Sequence, residues 1–275
     1  MDYQLFEVET TTENIEPLIT LFAELSFDGF EEKESGFSAY IPIDNTKLDV
    51  VVSKLAKLEH FYDFSYATEI VKYQNWNAIW EAGFQPIIVD DFCGIRADFH
   101  DTIEGVKHEL VINPKMAFGT GHHETTHMMI QTMEQLDFDD KTVFDYGCGT
   151  GILAILASKL KAKSIVAVDI ESESYLNTLE NSDINKIENI VVVEGTLDSI
   201  EPNRFGIILA NINRNVILAS LASLKKYLSK DGQLIISGFL KDDEDKMLKA
   251  VVDNGYLIKN KLQRNNWLCW QLEMS

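Results

Sequence analysis

Residues 123–127 read His-Glu-Thr-Thr-His, the spacing with which zinc peptidases hold their metal. On a helix, histidines four apart share one face, and the glutamate beside them serves as general base. A catalytic zinc needs a third protein ligand. The extended histidine motif would need glycine at 130 and histidine at 133, where the chain has Ile130 and Met133. The other known arrangement uses a glutamate about twenty residues downstream. That stretch reads "DYGCGTG" and holds no glutamate. No metal is expected, and the two histidines need another explanation.

The stretch "VFDYGCGTGILAI" carries more chemistry. An apolar strand ends at Asp145, and Gly147, Gly149 and Gly151 follow at alternate positions before a helix opens. Such glycines let the chain turn sharply and let a ligand approach the main chain. A dinucleotide fingerprint would put its third glycine at 152, which is Ile152, and there is no Gly-Lys-Ser/Thr of a phosphate loop. The D-x-G-x-G-x-G spacing resembles motif I of the class I S-adenosylmethionine methyltransferases. The next strand, "SIVAVDI", ends in Asp169, where a carboxylate can accept from both ribose hydroxyls of a nucleoside. After "VVVEG", Glu194 or Asp198 could meet the adenine amino group, though Asp198 reads equally well as a helix cap. The fourth strand ends "ILANIN". Enzymes of this kind that act on amide or nucleobase nitrogens usually carry Asp/Asn-Pro-Pro-Tyr there. Asn211 followed by Ile212 and Asn213 argues against a flat, conjugated acceptor, while the Asn211 carbonyl can still meet a cofactor or an amine.

These residues need elements to hold them. From about residue 86, Val- and Ile-rich strands alternate with helices, the pattern of a mostly parallel sheet wrapped on both faces. The last segment, "YLIKNKLQRNNWLCWQLEM", reads as an antiparallel hairpin turning at Asn265-Asn266 on the sheet edge. The fold class is α/β, doubly wound and Rossmann-like, over residues 86–275. Residues 1–65 follow the order β-α-β-β-α-β of a small ferredoxin-like α+β domain, with Thr12 as helix cap and a turn at Glu34-Ser35-Gly36. Residues 66–85 form a linker in which Trp76, Ile79 and Trp80 recur at helical spacing.

Four segments in this order, "NWNAIWEAGFQP", "NPKMAFGTGHHETTH", "DYGCGTGILAI" and "ANIN", make the chain resemble the bacterial ribosomal protein L-eleven methyltransferases across both domains. That family more often has Thr-His-Pro-Thr-Thr where this chain has His122-His123-Glu124-Thr125-Thr126. Glutamate in place of that proline is what creates the zinc-like string. The resemblance implies S-adenosyl-L-methionine as cofactor, held by Thr126, Gly147, Asp169 and Asn211. It implies transfer of methyl groups to lysine amines of a large-subunit ribosomal protein, with an N-terminal amine as a second candidate acceptor. No residue is assigned as catalytic base; His122 and His123 are candidates by position only. Helix capping is the plain structural reading of Thr126. Two other functions stay open: a methyltransferase of the same fold acting on another protein or a small amine, and a non-catalytic nucleoside-binding module.

Composition narrows the partners. The 275 residues carry a formal net charge of −20, which repels phosphate backbones, so no direct nucleic-acid recognition is expected. A basic partner such as ribosomal protein L-eleven is favoured, with the small domain as its reader. No apolar run approaches the ~18 residues of a membrane span. Three cysteines, Cys93, Cys148 and Cys269, and a start without a signal pattern point to the cytoplasm.

Overall fold

The computed structural model describes residues 2–43, 48–72, 85–113, 119–201 and 203–275. The chain divides into two units, Met1–Gly83 and Phe84–Ser275.

In the first unit the elements run β1 (Tyr3–Thr10), α1 (Thr12–Ala23), β2 (Gly29–Lys33), β3 (Gly36–Pro42), α2 (Leu48–Leu58) and β4 (Phe64–Val71). The strands pair antiparallel in the order β2-β3-β1-β4. Alternation sends Phe6, Val8, Phe37, Ala39 and Ile41 to one face, where Leu18, Phe22 and Leu55 of the helices cover them. Thr11, one residue before the expected Thr12, takes the extended cap conformation of α1. The expected boundary at residue 65 falls at the start of β4, which pairs with β1 from Phe64 to Val71. Cutting there would strip an edge from the sheet, so the strand belongs to the first unit. The linker helix expected around Trp76, Ile79 and Trp80 lies outside the described residues.

The second unit opens with β5 (Ile87–Val89), β6 (Cys93–Arg96) and β7 (His108–Val111), a small sheet of their own. There follow α3 (Glu124–Glu134), β8 (Thr142–Tyr146), α4 (Ile152–Lys159), β9 (Ser164–Asp169), α5 (Ser172–Ile184) and β10 (Ile190–Glu194). Then come β11 (Phe205–Asn211), α6 (Arg214–Tyr227), β12 (Leu228–Leu240), α7 (Glu244–Asp253), β13 (Tyr256–Arg264) and β14 (Trp267–Met274). The main sheet has the order β10-β9-β8-β11-β12-β14-β13. Its first five strands are parallel, and β14 runs antiparallel to both β12 and β13, as the terminal hairpin predicts. Both faces are buried: Val143, Ile165 and Leu209 point into one core with α4, and Phe144, Val168 and Ile208 into the other with α6. That is why these strands read as unbroken apolar runs. Strand order reverses direction between β8 and β11, and the crevice at such a switch point is where this architecture binds ligands.

Two glycines shape that crevice. Gly238 has φ +103, and a Cβ there would lie 2.0 Å from the Ile212 carbonyl oxygen. Gly147 has φ +76, and its Cβ would lie 2.1 Å from Ile212 Cγ2. Ile212 is therefore clamped from both sides, which fixes its neighbour Asn211 at the end of β11. Gly238→Ala meets backbone in a left-handed conformation and has no flexible atom to displace. Urea denaturation of the full chain should show a loss of at least about 2 kcal/mol in the second unit. An unchanged midpoint would contradict the clamp.

Candidate functional site

A cavity of about 620 Å³ lies at the carboxyl ends of β8, β9 and β11, where the switch point predicts it. Its wall includes Gly147, Gly149, Asp169, Asn211, His123 and Trp267. The glycine turn after β8 is stitched to β9: Gly147 N–H and Cys148 N–H donate to the Val168 carbonyl at 2.8 and 3.1 Å. Gly149 N–H donates to Asp169 Oδ2 at 2.9 Å, and Glu171 N–H to Oδ1 at 3.1 Å. The carboxylate is thus held by two backbone donors, and each oxygen keeps a further acceptor site for a ligand hydroxyl.

Asn211 lines the same cavity from the end of β11. Its Nδ2 donates to Thr126 Oγ1 at 3.2 Å. Its Oδ1 is buried and has no hydrogen-bond partner. A buried acceptor without a donor costs about 1–3 kcal/mol, so this oxygen suits a ligand N–H. Of the four residues expected to bind a cofactor, Gly147, Asp169 and Asn211 come together on the wall. Thr126 is fully buried in the first turn of α3 and reaches the site through Asn211, while its neighbour Thr125 stands on the wall. Gly195 also reaches the cavity, between the expected Glu194, which is exposed, and Asp198. Thr196 caps the turn Leu197–Ser199, so Asp198 is not a cap.

The zinc-like string does different work. His123 is the N-cap of α3, accepting from Thr125 N–H at 3.3 Å, with its ring edge-on to Trp267 at 4.6 Å. Glu124 Oε1 accepts from Asn265 Nδ2 at 2.8 Å. His127 Nε2 lies 3.2 Å from Arg264 Nη1, and since a guanidinium can only donate, the ring nitrogen accepts. Burial and the Arg264 charge both hold the His127 imidazolium below its ordinary range. Glu124 and His127 thus latch α3 to the turn of the terminal hairpin. Among the described residues no three His, Cys, Asp or Glu side chains are grouped to share a metal.

Sequence reasoning missed Trp267, whereas His123, a candidate by position, stands on the wall. A signal for Trp267 existed: β14 runs antiparallel to β12, so its first residue must lie at the ligand edge, opposite Leu240.

Beneath the glycine turn, Asp145 is fully buried at the end of β8. Its Oδ2 accepts from Ala154 N–H at 3.0 Å, in the first turn of α4, where the cap residue Gly151 has no side chain to do so. Its Oδ1 has no partner. Burial pushes its pKa up to about 7; the Ala154 N–H opposes this and the nearby Asp169 charge adds to it. The Cys148 thiol in the turn is also pushed up by burial, so it is no nucleophile.

Comparison with known proteins gives one family. The family model described as ribosomal protein L11 methyltransferase matches residues 8–274. A protein of that name from Porphyromonas gingivalis is 39% identical over 266 residues, covering 94% of this chain and 91% of its own. Another from Bacteroides thetaiotaomicron is 34% identical, with 95% of each chain covered. The crystal structure of a ribosomal protein L11 methylase from Lactobacillus delbrueckii subsp. bulgaricus superposes with a TM-score of 0.63 at 30% identity. It covers 70% of this chain and all of that one.

Asp145 makes stability depend on pH. In the unfolded chain it ionises near its ordinary value of about 3.9. Folded, it keeps its proton to about pH 7. Between those values the folded state binds the extra proton, so its contribution is full below about pH 4 and declines as pH rises to 7. Asp145→Asn removes this titration. The stability of the native chain relative to that variant should fall by roughly 2–3 kcal/mol between about pH 5 and 8 in urea titrations. A flat difference would mean that the folded carboxyl is already ionised at pH 5.

Proposed function

This chain belongs to the ribosomal protein L11 methyltransferase family, and we propose that it transfers methyl groups from S-adenosylmethionine to lysine amines of ribosomal protein L11. The observation that carries the reading is one cavity wall with a backbone-held carboxylate, a bare glycine turn and the partnerless oxygen of Asn211. Bound there, S-adenosylmethionine would supply a methyl group already activated on a sulfonium. The residues fit its parts. Asp169 has acceptor sites left for two ribose hydroxyls. Gly147 leaves main chain bare for close approach. Val168 and Ile170 give apolar surface to a base.

What the chain then does is orientation. Asn211 Oδ1 accepts an N–H of the cofactor or of the incoming amine, and Thr126 holds the Asn211 amide in place. An amine must be neutral to accept a methyl group. Baring a free lysine at pH 7 costs about 4.6 kcal/mol. Ile212, Val216 and Trp267 on the wall disfavour the charged ammonium and offset part of that cost. No side chain is assigned as general base. His123 Nδ1 faces its own helix, 3.3 Å from Thr125 N and 2.8 Å from Thr125 Oγ1.

The first unit is read as the substrate reader. Residues 1–83 hold sixteen Asp and Glu against five Lys and no Arg, which complements a lysine-rich protein. The reaction is placed in the cytoplasm, a reading supported by three buried cysteines, all unpaired.

Incubation of ribosomal protein L11 with the chain and methyl-labelled cofactor should label lysines. Asn211→Ala should slow transfer about tenfold or more, the loss of one buried hydrogen bond. His127→Ala and added chelator should leave the rate within about twofold, because that histidine serves the hairpin latch. No label in L11, or a chelator-killed rate restored by zinc, would overturn the reading.

A further inference from the structure

The face of the first sheet turned away from α1 and α2 has a composition of its own. Strand register sets its rows: Gly29, Tyr40, Leu5 and Glu69 lie side by side, as do Glu31, Ser38, Glu7 and Ala67. Tyr3 lies two residues before Leu5 and shares its face. Tyr3, Asp28, Gly29 and Tyr40 line a shallow cup of about 430 Å³, open to solvent and confined to the first unit.

The cup has the parts that recognise an organic cation. Two phenol side chains line it, and an aromatic ring attracts an ammonium more strongly as the cation sheds water. Asp28 supplies the carboxylate. Its backbone N–H donates to the Tyr40 carbonyl at 3.1 Å, which fixes the loop against β3. Tyr3 Oη donates to Asp28 Oδ2 at 3.4 Å, a long bond that leaves carboxylate acceptor sites free. Gly29 has no left-handed backbone to justify it, and a Cβ there would sit at ordinary contact with the Tyr40 ring, 3.4 Å from Cδ2. The fold does not need glycine at this place. What glycine does is leave the flank of the Tyr40 ring open.

The surrounding charge names the ligand's sign. Glu7, Glu31 and Glu69 share the face, and Lys33, the one lysine on it among the described residues, is held by Glu7 at 2.6 Å. We propose that the cup of Tyr3, Asp28, Gly29 and Tyr40 is an ammonium subsite that takes a lysine side chain of a basic protein partner. The ammonium sits against the rings and donates to Asp28. The identity of the partner rests on the reading of the chain as a protein-lysine methyltransferase; the chemistry of the cup does not.

The test uses the full chain labelled with ¹⁵N-glycine, whose fifteen glycines give a sparse spectrum. The Gly29 signal is the one missing from Gly29→Ala. N-acetyl-lysine amide should move it saturably, and the uncharged N-acetyl-norleucine amide should not. Asp28→Asn and Tyr40→Leu should each weaken the lysine response about threefold or more, as expected for one partly exposed cation contact. A Gly29 signal unmoved by lysine, moved equally by norleucine, or responding identically in Asp28→Asn overturns the subsite. S-adenosylhomocysteine added to the same sample addresses the cofactor reading separately, through Gly147 and Gly149. If those signals stay still, that reading fails, and the Gly29 response still decides the cup.

Discussion

The hydrogen bond from Gly149 N–H to Asp169 Oδ2 joins the two parts of the site that matter most. Parallel register brings it about: Tyr146 pairs with Val168, so the turn after β8 and the end of β9 arrive at one level. The turn then lends its backbone donor to the carboxylate, and the carboxylate holds the turn open toward the cavity. Asp145, one strand position earlier, does the same for α4 from below. One acidic side chain caps a helix that has only glycine at its cap, and the other faces the cavity. Their proximity is part of why Asp145 keeps its proton near neutrality. Ile212, wedged between Gly147 and Gly238, adds the third strand end and sets Asn211 on the wall.

Much of this was legible in the sequence because chemistry sits at strand ends. Gly147, Asp169 and Asn211 each follow an apolar run, and a parallel sheet gathers such ends on one edge. The terminal hairpin was legible as well: the turn at Asn265-Asn266 places Asn265 at φ +50, which asparagine tolerates. Less legible were contacts made by packing across distant segments. Nothing local shows that Trp267 faces His123, or that Thr126 stands behind Asn211. The order β-α-β-β-α-β already gave this strand to the first sheet, but the boundary at residue 65 cut it short, because alternation does not mark where a strand ends, and pairing with β1 carries it to Val71.

The His-Glu-Thr-Thr-His string shows how one spacing serves two kinds of chemistry. One helical turn puts Glu124 and His127 on a common side, where both meet the hairpin turn. Here Asn265 and Arg264 take those positions, and His123 turns back to cap its own helix. The charge is divided unevenly too. More than half of the net −20 lies on the first unit, in 83 of 275 residues. Excess of that kind favours association with basic partners more than it stabilises a fold.

Calorimetric titration of the full chain with S-adenosylhomocysteine, native and Asp169→Ala, is the most direct measurement. If the glycine turn and Asp169 form a nucleoside site, the native chain binds saturably. Removing the carboxylate then weakens binding about tenfold to a hundredfold, the span for hydrogen bonds to a charged acceptor. Equal affinity in the two proteins, or no binding by the native chain, would contradict the account.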